Sequence, residues 1–521
     1  MTEDEIRELI GEVIVAGFDG TVVNEHAERL IVHHRVKNII LFKRNVESAE
    51  QVKALTTALQ NLARQSGHLS PLIICTDQEN GIVRRVAPEV PGLPGNMAVA
   101  ATYNAENAYT VGRETARELR YMGINMDLAP VLDVNNNPQN PVIGVRSYGE
   151  DPKQVAMFGV KMIQGLQASG VIACGKHFPG HGDTAVDSHM ALPEVSHPMT
   201  RLKTVELPPF MKAIEAGIDV IMTAHVVFSS IEPKHIPATL SKTVLTDFLR
   251  GELSYTGVVT TDCLEMNAIS ETIGVPEGAV QALLAGADLL MISHRLDRQE
   301  AAIEAIVKAV RDGRVPEERL KEAADRVSRL REVRLKPPLR ETETLESIVA
   351  EAQRLQDDLC TAAATVVSNT GGLLPLSRNQ TRLVDVFIDS SVTRMSASDN
   401  TWSYQFVLDA LREIVPDSEI RVHQITDSES CPSMTSLTDT TLVIAGLNGV
   451  KNPVYLNFVN ELSRAGLPVV ALALQSPYDL EAVAAVGARI AVYEYTPWMV
   501  RAGILALFGD GGLGKLPVTV H

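Results

Sequence analysis

The sequence predicts a (β/α)8 barrel, of the TIM type, followed by a smaller α/β unit. Three observations carry the prediction. Eight short apolar runs alternate with helical patterns over residues 1–334. Conspicuous polar residues fall just after those runs, and in this fold the chemistry sits at the C-terminal ends of the strands. A break at Lys336-Pro337-Pro338-Leu339-Arg340-Glu341-Thr342-Glu343 reads as an exposed linker, after which α/β alternation resumes.

In chain order, the first strand is Glu12 to Ala16, ending in Gly17-Phe18-Asp19-Gly20. The second, Asn38 to Phe42, ends in Lys43-Arg44-Asn45. The third, Leu72 to Thr76, ends in Asp77-Gln78-Glu79-Asn80-Gly81. Helical spacing from Ala108 to Met122 precedes a fourth strand, Ile124 to Ala129, and a long polar loop that holds Arg146. The fifth strand, Val171 to Gly175, feeds a dense polar loop. A helix at Leu207 to Ala216 leads to the sixth strand, Ile218 to Thr223, and then His225. A helix from Lys242 to Arg250 leads to the seventh, Gly257 to Thr261, and then Asp262. A helix from Glu277 to Ala285 precedes the eighth, Ala287 to Ile292. Ile303, Ile306 and Val310 make Arg298 to Arg311 an amphipathic helix. Glu317 to Arg334 is a charged helix that closes the first unit.

Residues 335–365 are expected to be linker and helix, with Leu345 to Ala364 helical. Residues 366–521 form the second unit. Its strands are expected at Leu383 to Ile388, Ile420 to Gln424, Leu442 to Ala445, Val469 to Leu474 and Ile490 to Tyr493. Its helices are expected at Gln405 to Ile414, Val454 to Arg464 and Met499 to Phe508.

Composition narrows the function. Over 521 residues, 45% hydrophobic and 21% charged is the balance of a soluble globular protein with ample core. A net charge of −17 argues against nucleic acid and against an anionic membrane surface. The five cysteines are dispersed and odd in number, so they read as buried hydrophobes in a reducing compartment and not as a disulfide framework. The acidic start, Met1-Thr2-Glu3-Asp4-Glu5-Ile6, has no apolar core of a signal peptide, and no apolar run reaches membrane-spanning length. A cytoplasmic protein is the expectation.

The chemistry concentrates in Cys174 to Met190, C-G-K-H-F-P-G-H-G-D-T-A-V-D-S-H-M. A polar surface turn would collect Gly, Pro and Asp but seldom His and Lys. His177, His181, Asp183 and His189 are conceivable metal ligands, but their spacing fits no standard zinc pattern. Asp187-Ser188-His189 suits acid/base work, since an aspartate orients a histidine ring and stabilises its protonated form.

The gapless string K-H-F-P-G-H-G-x-x-x-x-D-S-H resembles the signature of the β-N-acetylglucosaminidase branch of glycoside hydrolase family 3. Leu373-Leu374-Pro375-Leu376, Ser476-Pro477-Tyr478-Asp479-Leu480 and Gly514-Lys515-Leu516-Pro517-Val518 resemble punctuation in the C-terminal α/β sandwich domain of two-domain members. The resemblance thus covers nearly the whole chain.

Retaining glycosidases need an ionised carboxylate nucleophile and an acid/base near the leaving oxygen. Asp262, in Thr260-Thr261-Asp262-Cys263-Leu264-Glu265-Met266, stands where a strand ends and resembles the family's T/S-D-x-L-x-M nucleophile motif. A loop-start aspartate that caps a helix is the plainer alternative. The resemblance makes His189, paired with Asp187, the acid/base; Glu265 is the rival carboxylate, three residues from Asp262. It also makes Asp77, Arg146, Lys176 and His177 substrate-binding residues, and His225 is grouped with them from its place at a strand end. Arg85 matches a further binding arginine, but Asn80 and Ile82 depart from the family's D-Q-E-G-G-R-V, so Arg84 remains an alternative. Ion pairing at the barrel rim is the structural alternative for the arginines.

The expected activity is that of an exo-acting, retaining β-N-acetylglucosaminidase with no metal or organic cofactor and a small carbohydrate substrate. A phosphorylase, a β-glucosidase of the same family and a non-catalytic sugar-binding protein are the alternatives. The second unit is expected to be mainly structural.

Overall fold

A computed structural model describes residues 1–85, 88–188, 191–335, 343–370, 372–389, 403–449 and 451–521. Eight strands form one parallel sheet: Ile14–Ala16, Asn38–Ile40, Ile73–Thr76, Met126–Asp127, Ile172–Phe178, Val220–Thr223, Val258–Thr260 and Leu290–Ile292. The first seven pair in chain order, and the eighth pairs with the first through Ile14↔Leu290. A bridge from Thr260 to Leu289 closes the ring. The first unit is therefore a (β/α)8 barrel.

The barrel is filled rather than hollow. Val15, Ile40, Ile73, Met126, Ile172, Val220, Val258 and Met291 point into one buried cluster with Cys75 and Cys174. Fully burying such aliphatic side chains contributes about 1.5–3 kcal/mol each. A long helix opens the chain before the first strand, Glu3–Val13, and Thr2 caps it by accepting from the Glu5 N–H. At the N-terminal end of the barrel Arg331 is buried against Glu12 and donates to Asn38 at 2.9 Å.

The second unit is a six-stranded sheet in the order Thr365–Asn369, Ala488–Ala491, Val469–Ala473, Leu442–Leu447, Leu383–Asp389, Glu419–Ile425. Five strands are parallel; the first, which periodicity did not reveal, is antiparallel to Ala488–Ala491. Helix Leu345–Ala363 lies between the units, against barrel helices Asn96–Ala101 and Glu106–Tyr121 and against helix Pro497–Leu507 of the second unit. Of the linker expected before it, Lys336 to Thr342 lies outside the described residues.

The seam between the units is made of backbone and polar side chains. Lys515 N donates to Ala101 O at 2.9 Å, and Glu150 N donates to Pro517 O at 3.2 Å. A Cβ on Gly149, whose φ is 137°, would lie 2.5 Å from Pro517 O, so glycine is required there. Tyr478 OH accepts from Asn135 at 3.2 Å. Glu494 is buried and takes the Gly95 N–H on Oε2 at 2.6 Å, while Thr496 and Trp498 donate to its Oε1. Two of the short motifs noted in the second unit, around Tyr478 and Lys515, thus lie at contacts with the barrel.

Among the described residues no helix is long and apolar enough to cross a membrane.

Candidate active site

The fifth strand runs further than its periodicity predicts, to Phe178, so Lys176 and His177 lie on the strand and not in a loop after it. The sheet then holds both rigidly at its C-terminal end. Asp77 follows the third strand by one residue, and Asp262 follows the seventh by two. These side chains, with Arg85, Arg146, Glu79, His181, Ser188, Cys263, Glu265 and His294, line a cavity of about 360 Å³. Its size suits a small polar ligand. Phe42, Val83, Met222 and Met291 give it an apolar side.

One buried carboxylate organises the cationic wall. Glu79 Oε1 lies 2.7 Å from Lys176 Nζ and 2.7 Å from an Arg146 guanidinium nitrogen; Arg146 Nε donates to Oε2 at 2.8 Å. Lys176 Nζ also reaches Asp77 at 2.7 Å. Burial alone would raise the Glu79 pKa, but Arg146 and Lys176 hold it well below the usual carboxylate range. Burial opposes the charge on Lys176 and Arg146 in turn, and the facing carboxylates more than restore it. The set presents fixed charges and donors to the cavity. Glu79 has no role in the sequence analysis above; its place two residues after Asp77, on the same strand end, is the signal that points to it.

Asp133 is the second residue that sequence reading missed. It takes the His177 ring at Nδ1 (2.7 Å) and the peptide N–H of His177 and of His181. Burial would raise its pKa, but the charge interaction with His177 keeps it low. With Nδ1 committed, Nε2 is the nitrogen His177 can offer to a ligand. His181 turns to Thr184 and Ser188, each at 2.9 Å. Burial, with His177 beside it, pushes its pKa down to about 4, so the ring is neutral at physiological pH. Asp183 pairs with His197 at 2.6 Å. The loop is thereby pinned at three points before Asp187, and a Cβ on Gly182 would overlap Val134 O at 1.7 Å. His177, His181 and Asp183, weighed above as ligands of one metal, turn to separate partners.

Asp262 Oδ1 accepts the Cys263 N–H at 2.7 Å. His225 is fully buried, does not line the cavity, and spends both ring nitrogens inside the protein, on Thr239 Oγ1 (2.8 Å) and Cys263 O (3.0 Å). It props the strand end that carries Asp262. Arg85 lines the cavity, whereas Arg84 donates to Val90 O and lies over Trp498 with its guanidinium carbon 5.8 Å from the ring centroid. Glu265 also lines the cavity; burial raises its pKa, and its Oε2 accepts the His294 N–H at 2.6 Å. Asp187 is half-buried, and its carbonyl accepts the Ala191 N–H. His189 lies outside the described residues. Every described residue lining the cavity belongs to the barrel.

Residues 1–330 match the glycosyl hydrolase family 3 N-terminal domain. The chain is 35% identical over 382 residues to the beta-hexosaminidase A of Pseudoalteromonas piscicida, covering 69% of this chain and 64% of that protein. It is 35% identical over 310 residues to a beta-hexosaminidase of Alkalilimnicola ehrlichii, covering 58% of this chain and 85% of that one. Among solved structures, a glycoside hydrolase family 3 beta-N-acetylglucosaminidase from Paenibacillus sp. superposes with a TM-score of 0.89 at 38% identity, covering 99% of this chain and 98% of its own.

Proposed function

The chain belongs to glycosyl hydrolase family 3, and from that premise we propose that it is a retaining exo-β-N-acetylglucosaminidase that releases terminal, non-reducing N-acetylglucosamine. The observation that carries the reading is a single cavity. The Asp262 carboxylate, the Asp77–Lys176–Glu79–Arg146 charge network and the His177–Asp133 pair all meet the same small space at the C-terminal end of the barrel. The names of the curated and structural relatives, beta-hexosaminidase and beta-N-acetylglucosaminidase, support the choice of sugar.

In this reading Asp262 attacks the anomeric carbon as the glycosidic C–O bond breaks, and His189 delivers its proton to the leaving oxygen. A glycosyl–Asp262 ester results. The now neutral His189 takes a proton from water, the water oxygen bonds to the anomeric carbon, and the Asp262 carboxylate leaves. Asp187 orients the imidazole and stabilises its cation. Asp77, Lys176, Arg146, His177 and Arg85 hold the sugar hydroxyls. Asp133 fixes the His177 ring, and His225 supports the strand end behind Asp262. The domain division at residues 334 and 366, with the second unit in a structural role, belongs to the same proposal; the Glu494 and Lys515 contacts with the barrel support it.

The test is incubation of the purified chain with p-nitrophenyl N-acetyl-β-glucosaminide, with and without phosphate, followed by mass spectrometry of the sugar. Free N-acetylglucosamine in both buffers is the expected result. A sugar 1-phosphate would make the chain a phosphorylase, since a histidine acid/base repels incoming phosphate less than a carboxylate would. Binding without release would make it a sugar-binding protein.

A further inference from the structure

We propose that Cys263, Glu265 and His294 form a binding site for a thiophilic divalent cation, Zn²⁺ or Cd²⁺, on the wall of the cavity. One ligand atom from each of the three lies within 4.8 Å of the others. Cys263 and Glu265 are two residues apart on the segment after the seventh strand, and His294 follows the eighth by two. The neighbouring strand ends are tied together, with Leu264 N donating to Met291 O at 2.9 Å and His294 N to Glu265 Oε2 at 2.6 Å. Thiolate, carboxylate and imidazole are the donors Zn²⁺ prefers, and three protein ligands leave a fourth position open. Tetrahedral coordination at about 2.0–2.3 Å sets donors roughly 3.3–3.8 Å apart, so the side chains must close by about an ångström.

A second observation points the same way. The Glu265 side chain is only 5% exposed, and its Oε1 is buried with no hydrogen-bond partner; Arg298 stands 3.9 Å from it. A buried carboxylate oxygen without a donor is costly unless something positive completes it. All three side chains line the cavity, so the open position faces the space where a ligand enters. Arg298, which pairs with Glu265 Oε1 at 3.9 Å, is one competing charge and Arg44 is the other. The Arg44 guanidinium meets His294 Nδ1 at 3.0 Å, and ligation through either ring nitrogen costs that contact. Arg44 then keeps the carbonyls of Phe18 and Ser293 and the carboxylate of Asp19.

A second cluster of donors, Asp183, His197 and Glu206, carries no such proposal. Two of its donors are already spent on each other, His197 Nε2 on Asp183 Oδ2 at 2.6 Å. As the cation binds Cys263, the Sγ–metal bond replaces Sγ–H and the proton leaves to solvent. Because the Cys263 N–H also holds Asp262, a bound cation sits beside that carboxylate and excludes the sugar. That inhibition, though not the binding, rests on the reading of the site given above.

The test is titration of the chelator-treated full chain with Cd²⁺ alone, followed by its ultraviolet thiolate-to-metal charge-transfer absorbance, with circular dichroism of each variant to confirm folding. The band should saturate at about one Cd²⁺ per chain. It should vanish in Cys263→Ser, weaken in His294→Gln and persist in Cys431→Ser. A band that survives Cys263→Ser, or no saturable band in the wild-type chain, would overturn the site. So would Zn²⁺ inhibition that is lost in Asp187→Asn but kept in Cys263→Ser, which puts the cation on the acid/base loop. The absorbance is read whether or not the chain cleaves a glycoside, so failure of the catalytic reading and failure of this one are distinct results.

Discussion

Asp133 grips His177 twice, at the ring Nδ1 (2.7 Å) and at the peptide nitrogen (3.2 Å). One carboxylate therefore sets both the backbone and the ring of a cavity residue. Asp133→Asn replaces an oxygen that accepts from His177 or His181 with an amide that donates. The loss should be about 1–3 kcal/mol, seen as a lower melting temperature and a roughly five- to hundredfold fall in kcat/KM on an N-acetylglucosaminide. Unchanged kinetics would show that His177 is held by other means.

The adjacent arginines should separate cleanly. Arg85 lines the cavity, so Arg85→Ala should raise KM. Arg84 packs over Trp498 of the second unit, a cation–π contact of about 0.5–1 kcal/mol. Arg84→Ala should lower the melting temperature and leave KM alone. The opposite pattern would make Arg84 the sugar-binding residue.

Asp187→Asn and His189→Gln should each slow turnover of a substrate with a poor leaving group by about 10²–10⁴-fold. The effect on a p-nitrophenyl glycoside should be smaller, because its leaving group needs little protonation. Glu265→Gln is the control, since burial raises the pKa of that cavity carboxyl as a general acid requires. If Glu265→Gln alone shows the leaving-group dependence, Glu265 is the acid.

Glu494 couples the seam to pH. Burial raises its pKa from the ordinary 4.5 to about 7, against the three donors that favour the anion. The folded chain then binds more protons than the unfolded one between those values. Its contribution, on the order of 3 kcal/mol, is full below about 4.5 and is lost as pH rises through about 7. Glu494→Gln should flatten that slope in thermal melts recorded from acid to mildly alkaline pH. A slope unchanged by the substitution would place the titrating group elsewhere.

The barrel was legible because each strand is a short apolar run with a polar residue at its end, as at Thr76-Asp77 and Thr260-Thr261-Asp262. The fifth strand was read too short because Lys176 and His177 break the apolar pattern; Glu79 and Asp77 neutralise Lys176, and Asp133 takes the ring of His177, which lets them finish a buried strand. Strand Thr365–Asn369 lies at a half-exposed sheet edge and lacks a continuous apolar signal. Glu79 and Asp133 escaped notice because their importance comes from partners distant in sequence: Arg146 and Lys176 for one, His177 and His181 for the other. His225 looked like a ligand-binding residue from its strand-end position, and only three-dimensional contact shows both nitrogens occupied.

The central claim is that Asp262 forms a covalent bond to the sugar. It is tested most directly by incubating the chain with a 5-fluoro N-acetylglucosaminyl fluoride, which forms the ester but releases it slowly, and mapping the labelled peptide by mass spectrometry. The account predicts one sugar per chain, attached at Asp262, with no label in Asp262→Asn. A label on Glu265, or turnover of N-acetylglucosaminides with no label at all, would contradict it.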